Sequence, residues 1–308
     1  MKVVNQLDQI VSSPTAIALG NFDGLHLGHQ RVISAILGTP QISTVVSFDP
    51  HPQEFFSKTL RPQLTPLPEK QVLLERLGVQ QLVVLPFTAS LAQLSYTEFM
   101  ERILQNYLQA ERIAVGFNFR FGKDRKGTIY DLKRVWGDRL TIISEQSLSE
   151  AVRISSSNIR TALGNGNLEL AQRMLGRPYS LTGTVVHGQQ LGRKLGFPTA
   201  NLLLPERKFL PRYGVYAVHV DCIHGSNLVG VMNIGMRPTV ENGHIRDVHR
   251  PVIEVHIIDW EGNLYGSEMR VKLMGFLRPE QKFHSLEELK QQIIRDCSSA
   301  KTVRSLIY

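Results

Sequence analysis

Between residues 16 and 145 the chain alternates short, unbroken apolar runs with amphipathic stretches, a pattern that few folds accommodate. The segments "AIALGNF", "STVVSF", "QLVVLPF", "IAVGF" and "LTIISE" read as strands. Helices are expected between them, at about 28–37, 68–77, 97–108 and 127–136. Strands that are apolar throughout need cover on both faces, so the pattern predicts a parallel sheet wound with right-handed helical crossovers.

This first half is therefore expected to be α/β and Rossmann-like. Two more helices are expected at about 155–163 and 167–175, the second carrying an apolar stripe of Leu168, Leu170, Ala171, Met174 and Leu175. "GRPYSL" reads as a linker, and beyond residue 180 the period changes to two. In "YAVHVDCI", Tyr216, Val218, Val220 and Cys222 alternate with Ala217, His219 and Asp221. Turn sequences at "HGSN", "ENGH" and "WEGN" point to antiparallel hairpins. A small sheet leaves exposed edges, and closure into an antiparallel β-barrel removes them. "SLEELKQQIIRD" supplies a terminal helix, with Ser285 and Glu288 spaced as a capping box. Two domains follow, 1–180 and 181–308.

Composition narrows the function classes. The amino terminus lacks a signal-peptide pattern, and no apolar run approaches the ~20 residues of a membrane helix. A cytoplasmic protein without membrane partners is expected. Cys222 and Cys297 are the only cysteines, with no CxxC spacing, so neither a disulfide framework nor a thiolate zinc site is indicated. The net charge of +8 would suit nucleic acid, but the basic residues are spread along the chain. Small phosphate-bearing molecules explain it equally well, and no nucleic-acid partner is expected.

In open parallel sheets, ligands sit beyond the carboxyl ends of the strands. The loops there read "GNFDGLHLGH", "FDPHP", "NFRFGKDRKG" and "ISSSNIR". Gly20, Gly24 and Gly28 allow close backbone approach, and the helix that starts near His26 to His29 offers N–H groups and a positive dipole end to phosphate. At i and i+3, His26 and His29 share a face of its first turn. Such a pair suits the charge that develops when a nucleotide phosphate is displaced. A zinc site fits poorly, since the helical zinc motif uses i and i+4 and no third ligand is evident. His51 alone reads as structural. Ser156 and Ser157 at a helix start offer hydroxyl and N–H donors, and Arg160 a bidentate phosphate contact; without the other motifs, a simple N-cap explains the serines as well.

These elements resemble a known family. "GNFDGLHLGH" looks like the HxGH signature of nucleotidyltransferases. With "SFDPHPQEFF", "VGFNFRFGKDRKG" and "ISSSNIR" in that order, it is similar to the amino-terminal module of bacterial bifunctional riboflavin kinase/FAD synthetases. The resemblance implies that Gly20, Phe22 and Gly28 line a nucleotide site, that His26 and His29 contact ATP phosphates, that Asn118 lies near the reacting groups and magnesium, and that Ser156, Ser157 and Arg160 hold the triphosphate. Asn118 stands where the family often has Asp, and Ser157 where it often has Thr.

The second half has its own cluster in "GTVVHGQQLGRKLGFPTANLLLP". Gly188, Gly192 and Gly196 punctuate a stretch containing Arg193 and Lys194 that can fold over phosphates, although the Walker ending and the following helix are missing. Thr199 and Asn201, two apart on an extended segment, present a hydroxyl and an amide oxygen to a hard cation. Glu254 is the sole acid in "PVIEVHII", where partial burial would raise its pKa and fit it as a base; alternation alone makes it a solvent-facing residue. "GRKLGFPTANL", "YGVYAV", "MNIGMRPTV", "IEVHIIDWEGNLYG" and "FLRPEQKFHSLEELKQQI" resemble the riboflavin kinase module of the same family. By that resemblance Thr199 and Asn201 bind Mg2+ and ATP, Glu254 takes the proton of the ribityl hydroxyl, and Arg278 is a flavin-side contact. Trp260 stands where Phe is common.

The expected function is thus phosphorylation of riboflavin to FMN by the second half and adenylylation of FMN to FAD by the first, with ATP as co-substrate, Mg2+ as cofactor and pyrophosphate released. Two rivals remain at this point: a kinase fused to a transferase for another phosphorylated acceptor, and a flavin- or nucleic-acid-binding regulator. Self-association is left open.

Overall fold

The computed structural model describes residues 1–6, 9–188, 192, 195–236, 239–241, 244–246 and 251–303. Arg193 and Lys194 lie outside the described residues. The chain divides into two compact units, Met1–Ser156 and Ser157–Tyr308.

The first unit is built on six parallel strands: β1 (Lys2–Val4), β2 (Thr15–Leu19), β3 (Ile42–Asp49), β4 (Gln81–Pro86), β5 (Ala110–Gly116) and β6 (Leu140–Ile143), in the order β1-β4-β3-β2-β5-β6. β2 is buried at every position, as a strand covered on both faces must be. Apolar clusters form on both sides, one around Ile17, Leu19 and Leu104 and the other around Ala16, Ala18 and Ile33. After β2 the chain moves to one neighbour, β3, and later returns to the other, β5, so the sheet reverses direction at β2. That is the position where open α/β sheets form a crevice for ligands.

Two features depart from the sequence pattern. β1 has no counterpart in it, because three residues at an edge pair with β4 too briefly to leave a periodic signal. The helix expected over 97–108 begins as a turn of α-helix at Tyr96–Glu98 and widens to a π-helix over Phe99–Tyr107. The Leu108 amide accordingly bonds the Ile103 carbonyl, five residues back, at 2.9 Å. Widening keeps Phe99, Met100, Ile103 and Leu104 all buried against the sheet, an outcome of tertiary packing that local propensity does not encode.

The first unit ends in a short antiparallel ribbon, β7 (Ser147–Ser149) and β8 (Val152–Arg153). In the second unit, β9 (Ser180–Val186), β10 (Ala200–Leu203), β11 (Gly214–Cys222), β12 (Gly225–Met236), β15 (Pro251–Ile257) and β16 (Glu268–Arg278) close into a barrel ordered β10-β15-β12-β11-β16-β9. Every pairing is antiparallel. Alternation sends Tyr216, Val218, Val220, Met232, Ile234, Ile253, Val255, Val271 and Leu273 into the interior. The terminal helix, Leu286–Thr302, packs on the outside, where Ala300 and Val303 meet Val215, Ala217 and Val231. Its capping box is only half formed. Ser285 Oγ accepts the Glu288 N–H at 3.1 Å, whereas the Glu288 carboxylate reaches past Ser285 to the His284 N–H.

The turn sequences at "HGSN" and "ENGH" join antiparallel partners, β11 with β12, and β13 (Thr239–Glu241) with β14 (His244–Arg246). "WEGN" does not. It connects β15 to β16, which are not neighbours, because both edges of β15 are already taken by β10 and β12.

Candidate active sites

At the carboxyl end of β2 the loop Gly20–His26 carries unusual backbone. Phe22 (φ 50°) and Leu25 (φ 44°) adopt left-handed conformations that cost a non-glycine residue roughly 1–2 kcal/mol each. Both side chains are buried, so packing holds what local preference opposes. The loop is tied at several points. Gly24 N–H donates to Thr65 Oγ1 (2.9 Å), Thr65 N–H donates to Asp23 Oδ1 (3.1 Å), and Ser156 Oγ donates to the Asp23 carbonyl (2.8 Å).

This loop feeds helix α1 (Leu27–Ser34). His26 is its N-cap, and its Nδ1 accepts the His29 N–H at 3.2 Å. That N–H is therefore engaged by His26. The same bond fixes chemistry: a neutral His26 with Nδ1 as acceptor carries its proton on Nε2. The two imidazoles stack with centroids 3.5 Å apart at 18°, and Phe22 packs edge-on to His29 at 5.3 Å. A Cβ on Gly28 would lie 3.2 Å from the His26 ring, so glycine here lets that ring lie close to the helix backbone.

β5 runs beside β2, and exposed Asn118 follows its carboxyl end, with Oδ1 3.7 Å from where a Cβ on Gly116 would lie. Its continuation folds back on itself through reciprocal backbone bonds between Phe121 and Gly127. Ser156 opens α7 (Ser156–Gly164), four residues before Arg160 and hence on the same helix face. Ser157 is exposed, and both it and Arg160 belong to the second compact unit, where the Arg160 guanidinium lies 6.0 Å from the Phe209 ring centre. His51 N-caps the helix Pro52–Ser57 by accepting the Gln53 N–H. The motif "SFDPHPQEFF" supplies an aromatic group at the ends of β3 and β4: Phe48, Phe55 and Phe56 all pack edge-on around Phe87, and Phe56 is exposed.

In the barrel the decisive arrangement is a row across three strands. Asn201 of β10 is directly opposite Glu254 of β15, which is directly opposite Asn233 of β12. Opposed residues share a face with Cβ atoms about 4.5–5.5 Å apart. Ile253 and Val255 point into the barrel, so the row lies on its outer face, and Glu254 is half-buried there. A cavity of about 230 Å³ covers it, lined by Thr199, Asn233, Glu254, Arg278, Phe283 and the terminal-helix residues Ile293 and Asp296, among others. A second cavity, about 700 Å³, is lined by Val185, Pro198, Thr199, Val255, Ile257, Trp260 and Tyr265 among others. Thr199 is common to both.

The glycines are placed by contacts within the protein. A Cβ on Gly188 would fall 2.1 Å from Asn201 Nδ2, and one on Gly192 would fall 2.3 Å from the Phe197 carbonyl. Gly196 has a left-handed φ of 87°. His256 fixes the same turn through a 2.8 Å bond between its Nδ1 and the Pro198 carbonyl. Arg278 is held in a fork by buried Asp296 of the terminal helix, through Nε at 3.1 Å and Nη2 at 2.8 Å, while its Nη1 donates to the Pro279 carbonyl. Asn233, His256 and Asp296 escaped sequence reasoning because their importance depends on which strands and helix become neighbours. One consequence is testable: Gly188→Ala must displace Asn201 and is expected to lower turnover at the barrel site about tenfold or more while leaving the site after β2 intact, as separate steady-state assays of the two sites will read.

The FAD synthetase family model matches residues 8–158, and the riboflavin kinase family model matches residues 175–304. A bifunctional riboflavin kinase/FMN adenylyltransferase of Pseudomonas fluorescens is 39% identical over 293 residues, covering 92% of this chain and 91% of that protein. The chain belongs to the bifunctional riboflavin kinase/FMN adenylyltransferase family. A member from Escherichia coli strain K12 is 38% identical over 305 residues, covering 97% of this chain and 95% of its own length. A crystal structure from Streptococcus pneumoniae, named there as a macrolide-efflux protein, superposes with a TM-score of 0.84 at 28% identity, covering 99% of this chain and 100% of that one. Among the described residues, no helix is long and apolar enough to cross a membrane.

Proposed function

We propose that this chain performs both steps of its family's chemistry, each at its own site, with the residues described above in the following roles. In the barrel, the terminal ribityl hydroxyl of riboflavin enters the smaller cavity and ATP the larger. The oxygen attacks the γ-phosphorus, Glu254 takes its proton, and ADP leaves. The observation that carries this reading is the position of Thr199 on both cavities with Glu254 on one, which brings a base, a hydroxyl and two bound partners to a single point. Arg278 sits on the flavin side, and nucleotide binding falls to Gly188, Gly192, Arg193 and Gly196, of which Gly196 lines the larger cavity and Gly192 the smaller.

The Thr199 hydroxyl and Asn201 amide oxygen form a hard oxygen pair suited to Mg2+, a cation that is usually held by few protein ligands plus substrate phosphates. Among the described residues, no three His, Cys, Asp or Glu side chains gather into a metal cage, so the donors that fit are these neutral oxygens. Mg2+ there would neutralise charge on the phosphates.

In the first unit the FMN phosphate attacks the α-phosphorus of ATP and pyrophosphate leaves. Gly20, Phe22 and Gly28 shape the nucleotide site, His26 and His29 donate to the phosphates, Asn118 stands beside the reacting groups, and Ser156, Ser157 and Arg160 hold the triphosphate. The stacked imidazoles at the crevice support this role, and the exposed Phe56 cluster offers an apolar face for the flavin ring. The adenylylating half is taken to run to residue 180, past the division of the compact units after Ser156 and up to the start of the first barrel strand. The setting is cytoplasmic, and the partners are small molecules.

Incubation with riboflavin, ATP and MgCl2, followed by chromatographic separation of the flavins, is expected to show FMN first and FAD after it, with both products lost on adding EDTA. Accumulation of FMN without FAD would instead favour the reading with another acceptor in the first half, which trials of other phosphomonoesters would then identify.

A further inference from the structure

Lys70, on the helix α3 (Leu67–Arg76), reaches across to the loop after β2. Its Nζ donates to the Asn21 carbonyl at 2.8 Å and to Ser47 Oγ at 3.2 Å. Ser47, near the end of β3 and buried, in turn donates to the same Asn21 carbonyl at 3.2 Å. One carbonyl oxygen is thus gripped from the helix layer and from the sheet. Part of the Lys70 side chain reaches the surface, but its ammonium is enclosed enough that desolvation pushes its pKa below the ordinary lysine value, against the opposing pull of Asp23 and Asp49. Placing a charged group so deeply is costly unless it is used to hold something.

What it holds follows from peptide geometry. The Asn21 carbonyl lies in the same rigid plane as the Phe22 N–H, so fixing that oxygen restricts rotation of the plane and with it the φ of Phe22. Phe22 is one of the two strained residues of the loop, and its ring packs against His29. Release of the carbonyl would let the plane rotate toward an ordinary φ and carry the Phe22 ring away from His29.

We propose that Lys70, acting with Ser47, is a positioning residue for adenylyl transfer: it locks the Asn21–Phe22 peptide in its strained orientation and so sets the imidazole of His29. This rests on the assignment of FAD formation to this loop. The ligand-facing groups are His26 and His29, and Lys70 acts through them.

The test compares wild type, Lys70→Met and Ser47→Ala in both half-reactions, each protein assayed well below its own melting temperature. Misplacement of a reacting group by about an ångström costs about 100-fold, so Lys70→Met is expected to lower kcat for FMN to FAD by about that factor, with KM for ATP and FMN within about threefold. Ser47→Ala, which keeps the charge and removes one grip, is expected to lose about tenfold in kcat, and Lys70→Arg to fall between wild type and Lys70→Met. Riboflavin phosphorylation is expected to stay at the wild-type rate throughout. A lysine that merely stabilises the fold would lower the melting temperature and leave kcat alone, and that result overturns the proposal. So does a loss confined to KM, or an equal loss in both half-reactions. If Lys70→Met fails to fold, Ser47→Ala decides by itself, and a wild-type kcat there overturns the proposal. Failure of the underlying assignment looks different, because wild type itself would then make no FAD from FMN.

Discussion

Glu254→Gln is expected to reduce riboflavin phosphorylation by about 10²–10⁴-fold, the range a positioned base supplies, while FMN added directly is still converted to FAD. Gln keeps the shape and the hydrogen-bonding reach of Glu but cannot take up a proton. The substitution is mild for the fold, because residue 254 is half-buried on the outer face of the barrel and the interior is made by Ile253 and Val255. Binding should survive, since the cavity walls of Phe283, Ile293 and Thr199 are untouched. The measurement is kcat for FMN formation beside riboflavin affinity, read by flavin fluorescence. Retention of wild-type kcat would remove Glu254 from the chemistry, and loss of both activities in a folded protein would contradict the separation into two sites. Thr199→Ala should follow the same pattern of selective loss in phosphorylation, because Thr199 borders both cavities of the barrel.

The two sites were unequally legible in the sequence, and topology explains the difference. The loop after β2 is local: His26, Gly28 and His29 lie within four residues, so helical spacing alone places both imidazoles on one turn, and the stack at 3.5 Å follows. The strands that flank it could be read from their unbroken apolar runs, as the fully buried β2 shows. Loop contacts made from a distance could not. Lys70 and Thr65 are separated from their loop partners by more than forty residues, and nothing in "LTPLPEKQVLL" distinguishes a lysine that grips a carbonyl from one on a solvated face. The barrel shows the same limit more sharply. Asn201, Asn233 and Glu254 form one row only because β15 inserts between β10 and β12. Alternation correctly indicated that Glu254 points away from the barrel interior, yet the further step to a solvent-facing residue fails, since the outer face there is roofed by the terminal helix and the segment before it. The same insertion turns "WEGN" from a hairpin into a wall of the larger cavity, with Trp260 and Gly262 among its lining.

A division into two independently addressable sites also decides how a defect in the first unit should appear. His29→Ala is expected to lower FMN adenylylation by about 10²–10³-fold, the usual cost of removing one preorganised donor to a charged transition state, with riboflavin phosphorylation unchanged. The helix should persist, because its N-cap bond uses the backbone N–H of residue 29, and His26 remains to accept it. Loss of the ring removes the stacking partner of His26 and the edge contact of Phe22, so part of the effect is mispositioning of what remains. His29→Asn separates these contributions: it restores a donor without an aromatic face, and recovery to within about tenfold of wild type would show that donation dominates. In a coupled assay starting from riboflavin, His29→Ala should accumulate FMN at the normal rate and stall there. Glu254→Gln should consume riboflavin about 10²–10⁴-fold more slowly, yet restore FAD output when FMN is supplied. Mixing the two variants should recover riboflavin-to-FAD conversion, since free FMN released by one chain can be captured by the other. If wild type instead makes FAD from riboflavin with no lag while the mixture shows a lag until free FMN builds up, FMN passes between sites within one assembly, which would revise the route between the sites and leave the chemistry at each as described.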